Sequence, residues 1–151
     1  MRIPAVPPLA LAAAALLLTA CAGASATPPG PATPSGPVVT GRTYLSTSVS
    51  GDRTRPLVAG TRIQLRFTGD ALGVRAGCNS IGGTVTRTGD RLTLPDGLTS
   101  TAMGCSPELL AQDRWVMDVL TAGVTLGGNS DRPTISGPGA TIAFEPAPAT
   151  S

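Results

Sequence analysis

Three cysteines and nine acidic residues are among the side chains of this 151-residue chain that could carry chemistry, and the chain contains no histidine. Without an imidazole there is no Ser-His-Asp or Cys-His nucleophile pair and no histidine-bearing zinc site. The position of each cysteine, and of any acid in an apolar setting, therefore decides what to expect. We expect no catalytic residue, no metal and no cofactor.

Cys21 follows an apolar segment rich in alanine and leucine, of which residues 9–18 are uninterrupted. A spanning helix needs about 20 apolar residues, so residues 1–20 are predicted to be a cleaved signal peptide. Residues 18–21, Leu-Thr-Ala-Cys, resemble a bacterial lipobox, in which the cysteine is alkylated with diacylglycerol and becomes the first mature residue. The alternative is an ordinary secretory signal, because Ala24-Ser25-Ala26 also forms a small-x-small cleavage site.

Lipidation of Cys21 predicts a lipoprotein whose acyl chains, such as palmitate, hold it to the bacterial cell membrane on the extracytoplasmic side. Residues 22–41 contain five prolines and no charge, so residues 21–41 are predicted to be a tether. Residues 146–151 have a similar composition and predict a flexible tail. The folded domain is predicted over residues 42–145.

The folded part alternates apolar and polar residues in its first half, which is the pattern of half-buried strands. Residues 61–68 place Ile63, Leu65 and Phe67 on one face. Turn residues at 69–70, 89–90 and 137–139 separate further alternating segments and predict hairpins. We therefore expect an α+β fold, with a mostly antiparallel, curved or barrel-like sheet packed against one helix.

The single predicted helix covers residues 107–122, with Ser106 as the cap of its free amides and Gly123 at its end. Its apolar face also carries Gln112 and Asp113. A carboxylate on such a face must be paired or hydrogen-bonded. Asp113 is therefore predicted to accept backbone amides from a loop, or to meet an arginine. The arginines considered are Arg66 and Arg75.

Cys78 and Cys105 remain once Cys21 is lipidated, and an even pair outside the cytoplasm is typical of a disulfide. The bond would close a 28-residue loop and contribute about 3.6 kcal/mol through the entropy of the unfolded chain. Two buried free thiols and a two-ligand metal pair are the alternatives.

Two stretches, residues 77–83 (Gly-Cys-Asn-Ser-Ile-Gly-Gly) and residues 101–105 (Thr-Ala-Met-Gly-Cys), are followed by Gln112-Asp113 on the helix. Together they resemble the META domain, the HslJ-like family of bacterial envelope proteins. The resemblance covers nearly all of residues 42–145. It implies the curved sheet and single helix, and no catalytic activity. Its members are commonly secreted or lipid-anchored and are linked with envelope stress.

The motif residues have structural explanations of their own. Asn79 is suited to a left-handed turn that bonds neighbouring backbone, and Gly77 and Gly83 permit a bend or a close approach of strands. Thr101 belongs to the same motif, and Met103 is expected to fill the core.

The function expected is a non-enzymatic binding or protective module, with an unknown envelope protein or small ligand as partner. A formal net charge of +2 is too small to indicate nucleic acid. One alternative is an inhibitor of secreted enzymes that uses the loop at residues 50–55. The other is an enzyme that combines an acid with a neutral polar group, the candidates being Asp113, Asp118, Ser80, Ser106 and Asn79.

Overall fold

A computed structural model describes residues 36–51 and 55–148. These belong to the compact unit of residues 31–151. The predicted signal peptide, Cys21 and most of the predicted tether lie outside the described residues. So do residues 52–54 of the loop proposed for an inhibitor and residues 149–151 of the predicted tail.

Ten strands and one helix make up the described part of the chain, and every registered strand pair is antiparallel. The helix α1 spans Pro107–Thr121. The predicted α+β fold, with a curved antiparallel sheet and one helix, is confirmed. The strands are β1 (Thr43–Ser50), β2 (Gln64–Thr68), β3 (Ala71–Arg75), β4 (Ser80–Thr84), β5 (Thr86–Thr88), β6 (Arg91–Thr93), β7 (Thr99–Ser100), β8 (Val124–Gly128), β9 (Pro133–Gly137) and β10 (Ala140–Pro146).

The sheet is strongly curled into a half-barrel, and the chain itself requires this. Its strand order is β5-β6-β8-β9-β10-β1-β2-β3-β4-β7, so β5 lies at one end and β4 next to the other. Only Val85 separates β4 from β5 along the chain, and Val85 is buried. The two ends of the sheet must therefore curl towards each other.

The concave side of the sheet and the buried face of α1 enclose the hydrophobic core. Alternation along β2 and β3 buries every second residue, as the sequence predicts. The three predicted hairpins are present as β2–β3, β5–β6 and β9–β10. The helix contributes Trp115, Val116, Val119 and Leu120 to the core. Within the described residues, no helix is both long enough and apolar enough to cross a membrane.

The helix begins and ends near the predicted residues, but Ser106 does not cap it as expected. Ser106 has the extended backbone of an N-cap residue, yet its side chain makes no capping bond to a helix amide. The backbone amide of Glu108 and then the Ser106 hydroxyl lower the pKa of the exposed Glu108 carboxyl below its ordinary value of 4.5. Gly123, with φ +81, follows the C-cap residue Ala122.

Packing begins before Arg42, within the segment that the sequence assigned to the tether. Pro37 and Val39 are buried, and the Gly41 amide donates to the Phe67 carbonyl at 2.9 Å. Thr40 and Gly41 lie beside the hairpin that joins β2 to β3, and the Pro37 carbonyl accepts a hydrogen bond from Arg87 of β5 at 3.2 Å. At the other terminus, Pro146 belongs to β10 rather than to a tail. The apolar residues at positions 37 and 39 are the sequence feature that indicates this packing, but the prolines around them led to the prediction of a tether.

We predict that Ser106→Ala raises the Glu108 carboxyl pKa towards its ordinary value, because the variant removes a hydrogen bond to the charged form. A side-chain NMR titration measures the midpoint, with the exposed Ser130→Ala as control. Since folding lowers this pKa, Glu108 stabilises the fold above its unfolded-state pKa, and that stabilisation disappears as pH falls through the folded-state value. An unchanged midpoint in Ser106→Ala contradicts the assignment.

We predict that Gly83→Ala destabilises the fold by about 1–3 kcal/mol, because added volume in a packed region forces backbone shifts. A Cβ at position 83 would lie 2.7 Å from the Gly97 carbonyl oxygen. Gly73 on the next strand is the control, since its Cβ would meet only the Arg66 carbonyl oxygen at 3.9 Å. Urea unfolding compares the two variants; equal midpoints would show that no close approach exists at Gly83.

Candidate functional site

The motif residues meet at one end of the half-barrel, where α1 crosses the loops around β2, β3 and β7. The helix presents Gln112 and Asp113 to this end, and both are buried although most of the surrounding helix face is apolar. We call this group the polar network; it consists of Gly77, Asn79, Thr101, Gln112 and Asp113 together with the backbone groups they bind.

Asp113 accepts hydrogen bonds from three successive backbone amides. Its Oδ1 lies 2.8 Å from the Gly77 nitrogen and 3.2 Å from the Cys78 nitrogen, and its Oδ2 lies 2.8 Å from the Asn79 nitrogen. The Asn79 side-chain amide donates to the same Oδ2 at 3.0 Å. Four N–H donors therefore satisfy one buried carboxylate. Backbone amides of a loop are the first of the two kinds of partner predicted for Asp113.

The arginine partner predicted as the alternative is not present. Arg66 donates to the Thr43 hydroxyl at 3.2 Å, and the Nε of Arg75 lies 3.3 Å from the Ser80 hydroxyl. Both arginines sit on exposed positions of β2 and β3, on the face of the sheet opposite the core. A helix residue that crosses the end of the sheet does not reach that face.

Asn79 relays the contact from the helix to the segment that follows β7. Its Oδ1 accepts the Met103 amide at 2.8 Å and the Thr101 hydroxyl at 3.0 Å. Thr101 in turn accepts the Ser80 amide at 3.0 Å. The expectation that Asn79 bonds neighbouring backbone is wrong, because its side-chain partners lie 22 to 34 positions away.

Gln112 joins a second loop to the same helix turn. Its Oε1 accepts the Val58 amide at 2.6 Å, and its Nε2 donates to the Thr61 hydroxyl at 3.0 Å and to the Ala76 carbonyl. The side chain thus uses donor and acceptor together to hold the segment before β2 against the end of β3. Gln112 and Asp113 are adjacent on the helix and fix different loops.

Gly77 permits the helix to approach the backbone closely enough for these bonds. A Cβ at this position would lie 2.6 Å from the Leu109 carbonyl oxygen and 3.3 Å from Asp113 Oδ1. Any larger residue would push the loop away from the carboxylate that its amides bind. The close approach predicted at Gly77 is therefore present, and the helix rather than a strand is the partner.

Cys78 and Cys105 form the predicted disulfide, with Cα atoms 6.2 Å apart. It joins Cys78, in the loop after β3, to Cys105, which lies just before the start of α1. The Cys78 amide also binds Asp113. One loop is therefore tied to the helix twice, by a covalent bond and by hydrogen bonds.

The expectation that Met103 fills the core is wrong, since Met103 is 58% exposed. Its backbone amide is held by Asn79, so the motif uses the main chain at this position and leaves the side chain outside. Residues 99–104 are all exposed. The segment is too short to show a periodic pattern, so the sequence does not predict whether the methionine side chain points inward or outward.

The side chains considered for catalysis do not converge on a reacting centre. Asp113 is fully engaged by donors, and the Ser80 hydroxyl contacts Arg75 instead. Asp118 is exposed, five positions further along α1, which is about 7.5 Å along the helix axis. Of the proposed groups, only Asn79 and Asp113 lie within hydrogen-bond distance of each other, and that bond is buried.

An open cavity of about 490 Å³ lies beside the network, between the first turns of α1 and the segment before β2. Its volume falls in the range of small-ligand pockets, which is about 300–1,000 Å³. Most of its walls are apolar, and Asp113 is not part of them. The lining residues are Arg55, Pro56, Val58, Pro107, Glu108, Ala111 and Gln112.

A curled antiparallel half-barrel closed at one end by a helix, with a buried helix acid that binds a Gly-Cys-Asn loop, defines the class of this domain. The META domain family model matches residues 37–149, which is more than half of the chain. The chain therefore belongs to the META domain family. The match begins where Pro37 becomes buried.

Two solved structures are similar to this chain. The NMR structure of a protein from Burkholderia xenovorans has a TM-score of 0.60 at 16% identity, covering 82% of this chain and 94% of its own. Another NMR structure has a TM-score of 0.54 at 18% identity, covering 69% of this chain and 87% of its own. At these identities the likeness shows the fold alone. None of the curated proteins compared matches this chain.

We predict that Asp113→Asn lowers the free energy of unfolding by about 3 kcal/mol, because charge-assisted bonds are lost and a buried amide faces backbone donors. Asp118→Asn, on the exposed side of the same helix, is the control and changes it by less than about 0.5 kcal/mol. Urea unfolding measures both, and amide exchange at Gly77 and Asn79 reports the site. Equal losses in the two variants contradict this role for Asp113.

Proposed function

We propose that this chain is an extracytoplasmic lipoprotein, anchored to the bacterial cell membrane by acyl chains on Cys21, whose META domain is a non-enzymatic binding or protective module. The anchor is supported by the lipobox-like residues 18–21 directly after an apolar segment too short to span a bilayer. A disulfide between Cys78 and Cys105 is consistent with an oxidising compartment.

The observation that carries the non-enzymatic role is the state of Asp113. A carboxyl group acts as a general acid or base only if it can reach a proton on the substrate. Among the described residues Asp113 is the buried acid, and both of its oxygens are taken by the 77–79 loop. Its charge holds the loops together, so the polar network acts as a scaffold for the surface around it.

The chain enters the domain at the end opposite that surface. Thr40 and Gly41 lie beside the hairpin end of β2, whereas the polar network binds the opposite ends of β2 and β3. Five strand residues, about 17 Å, separate the two ends. The network, the cavity and Met103 therefore lie at the end of the domain opposite the point of chain entry.

A domain held together by a disulfide and a buried polar network suits a binding or protective role during envelope stress. The disulfide restricts the unfolded chain, and the network satisfies the polar groups of three loops inside the fold. Both features resist unfolding without any substrate chemistry. The partner in this role is an envelope protein or a small ligand.

We predict that cells expressing the full chain incorporate radioactive palmitate into it, and that Cys21→Ser abolishes the label. Ala26→Leu is the matched control, because it blocks ordinary secretory cleavage after small residues but leaves the lipobox intact. Immunoprecipitation and autoradiography measure the label. A label that persists in Cys21→Ser, or a protein released without label in the wild type, would refute the anchor.

A further inference from the structure

The segment at residues 99–104, which we call the edge segment, forms the outer margin of the sheet. It begins with β7, the last strand in the sheet order, and all six of its residues are exposed. Its inner side is fixed: the Thr101 amide donates to the Ser80 carbonyl at 3.0 Å, and the Met103 amide donates to Asn79 at 2.8 Å. The edge segment is thus held extended beyond the two residues of β7.

The outer side of the edge segment carries backbone groups without partners. The bond between Thr101 and Ser80 makes these residues a hydrogen-bonded pair, so the pair of Ile81 and Ser100 is, by alternation, a non-bonded one. The amides of Ser100, Ala102 and Gly104 consequently point away from β4. Within residues 36–51 and 55–148, no hydrogen bond reaches these three amides.

This margin lacks most of the devices that protect the edges of natural sheets. Proteins cover an edge, shorten its strand, or place charged residues and proline there. Although β7 itself is short, the edge segment continues its line and contains neither charge nor proline. Its small residues Ala102 and Gly104 leave room for a neighbouring strand, and Met103 adds a 58% exposed apolar side chain.

We propose that the edge segment binds an extended, uncharged peptide segment of a partner protein by strand addition, with Met103 contacting an apolar side chain of that peptide. Outward amides at alternate positions match the spacing of another extended backbone. Main-chain hydrogen bonds to the peptide supply the affinity, and Met103 supplies the preference for an apolar side chain on that peptide. This inference names the partner chemistry of the proposed binding module and rests on that proposal.

A foreign peptide fits better than any other part of this chain. Residues 28–37 contain five prolines, which lack the amide that a ladder needs. A second copy paired antiparallel through Ala102 would place Met103 opposite Thr101, so that the exposed apolar side chain would meet a polar one. A peptide brings no such constraint, and the edge segment lies at the end of the domain opposite the chain entry.

The test uses the full chain in detergent and a fluorescent, capped six-residue peptide of alternating threonine and valine, followed by anisotropy. The peptide is expected to bind, and a version with its amides methylated along one edge still binds through the other edge. Methylation along both edges removes the donors and abolishes binding. Equal binding of the fully methylated and unmethylated peptides, or no binding by either, overturns the proposal.

Variants of the chain locate the binding. Ala102→Pro removes an outward donor and is expected to weaken binding about tenfold, whereas Ala102→Val keeps the amide and changes it little. Met103→Ser should also weaken binding. If the Ala102→Pro variant does not fold, the binding of the methylated peptides to the wild-type protein tests the proposal. Self-association that the peptide does not displace overturns the proposal in favour of a second copy, and palmitate labelling tests the anchor separately.

Discussion

The structure depends on one electrostatic requirement: a carboxylate that is buried on a helix must have its charge balanced by donors. Asp113 meets it with the amides of residues 77–79 and the side chain of Asn79. Because these amides come from one tight loop, the loop must lie against the helix. The glycine at position 77, the bond at Cys78 and the amide at Asn79 all follow from that placement.

The same requirement connects the helix to segments that are distant in sequence. Asn79 carries the contact on to Thr101 and Met103, and Gln112 carries it to Val58. Three connecting segments are therefore positioned by two neighbouring side chains of one helix turn. A half-barrel has long open ends, and this arrangement closes one of them with polar bonds while the core remains apolar.

Features with a local cause could be predicted from the sequence. Alternation identified β2, β3 and three hairpins, and helix periodicity placed Asp113 on the buried face. The cysteine pairing followed from the number of cysteines. What could not be predicted depends on distant partners: β1 and β8 gain their identity from neighbours across the sheet, and Met103 is outward because Asn79 holds its backbone.

The burial of Pro37 and Val39 at the hairpin end has a mechanical consequence. A pull on the chain ahead of Gly36 first loads the bond from Arg87 Nη1 to the Pro37 carbonyl, and then the contacts of Thr40 and Gly41 with Phe67. The disulfide is at the opposite end and carries none of this load. Under tension, residues 36–41 would separate from the sheet and lengthen the tether by roughly 20 Å while the sheet stays intact.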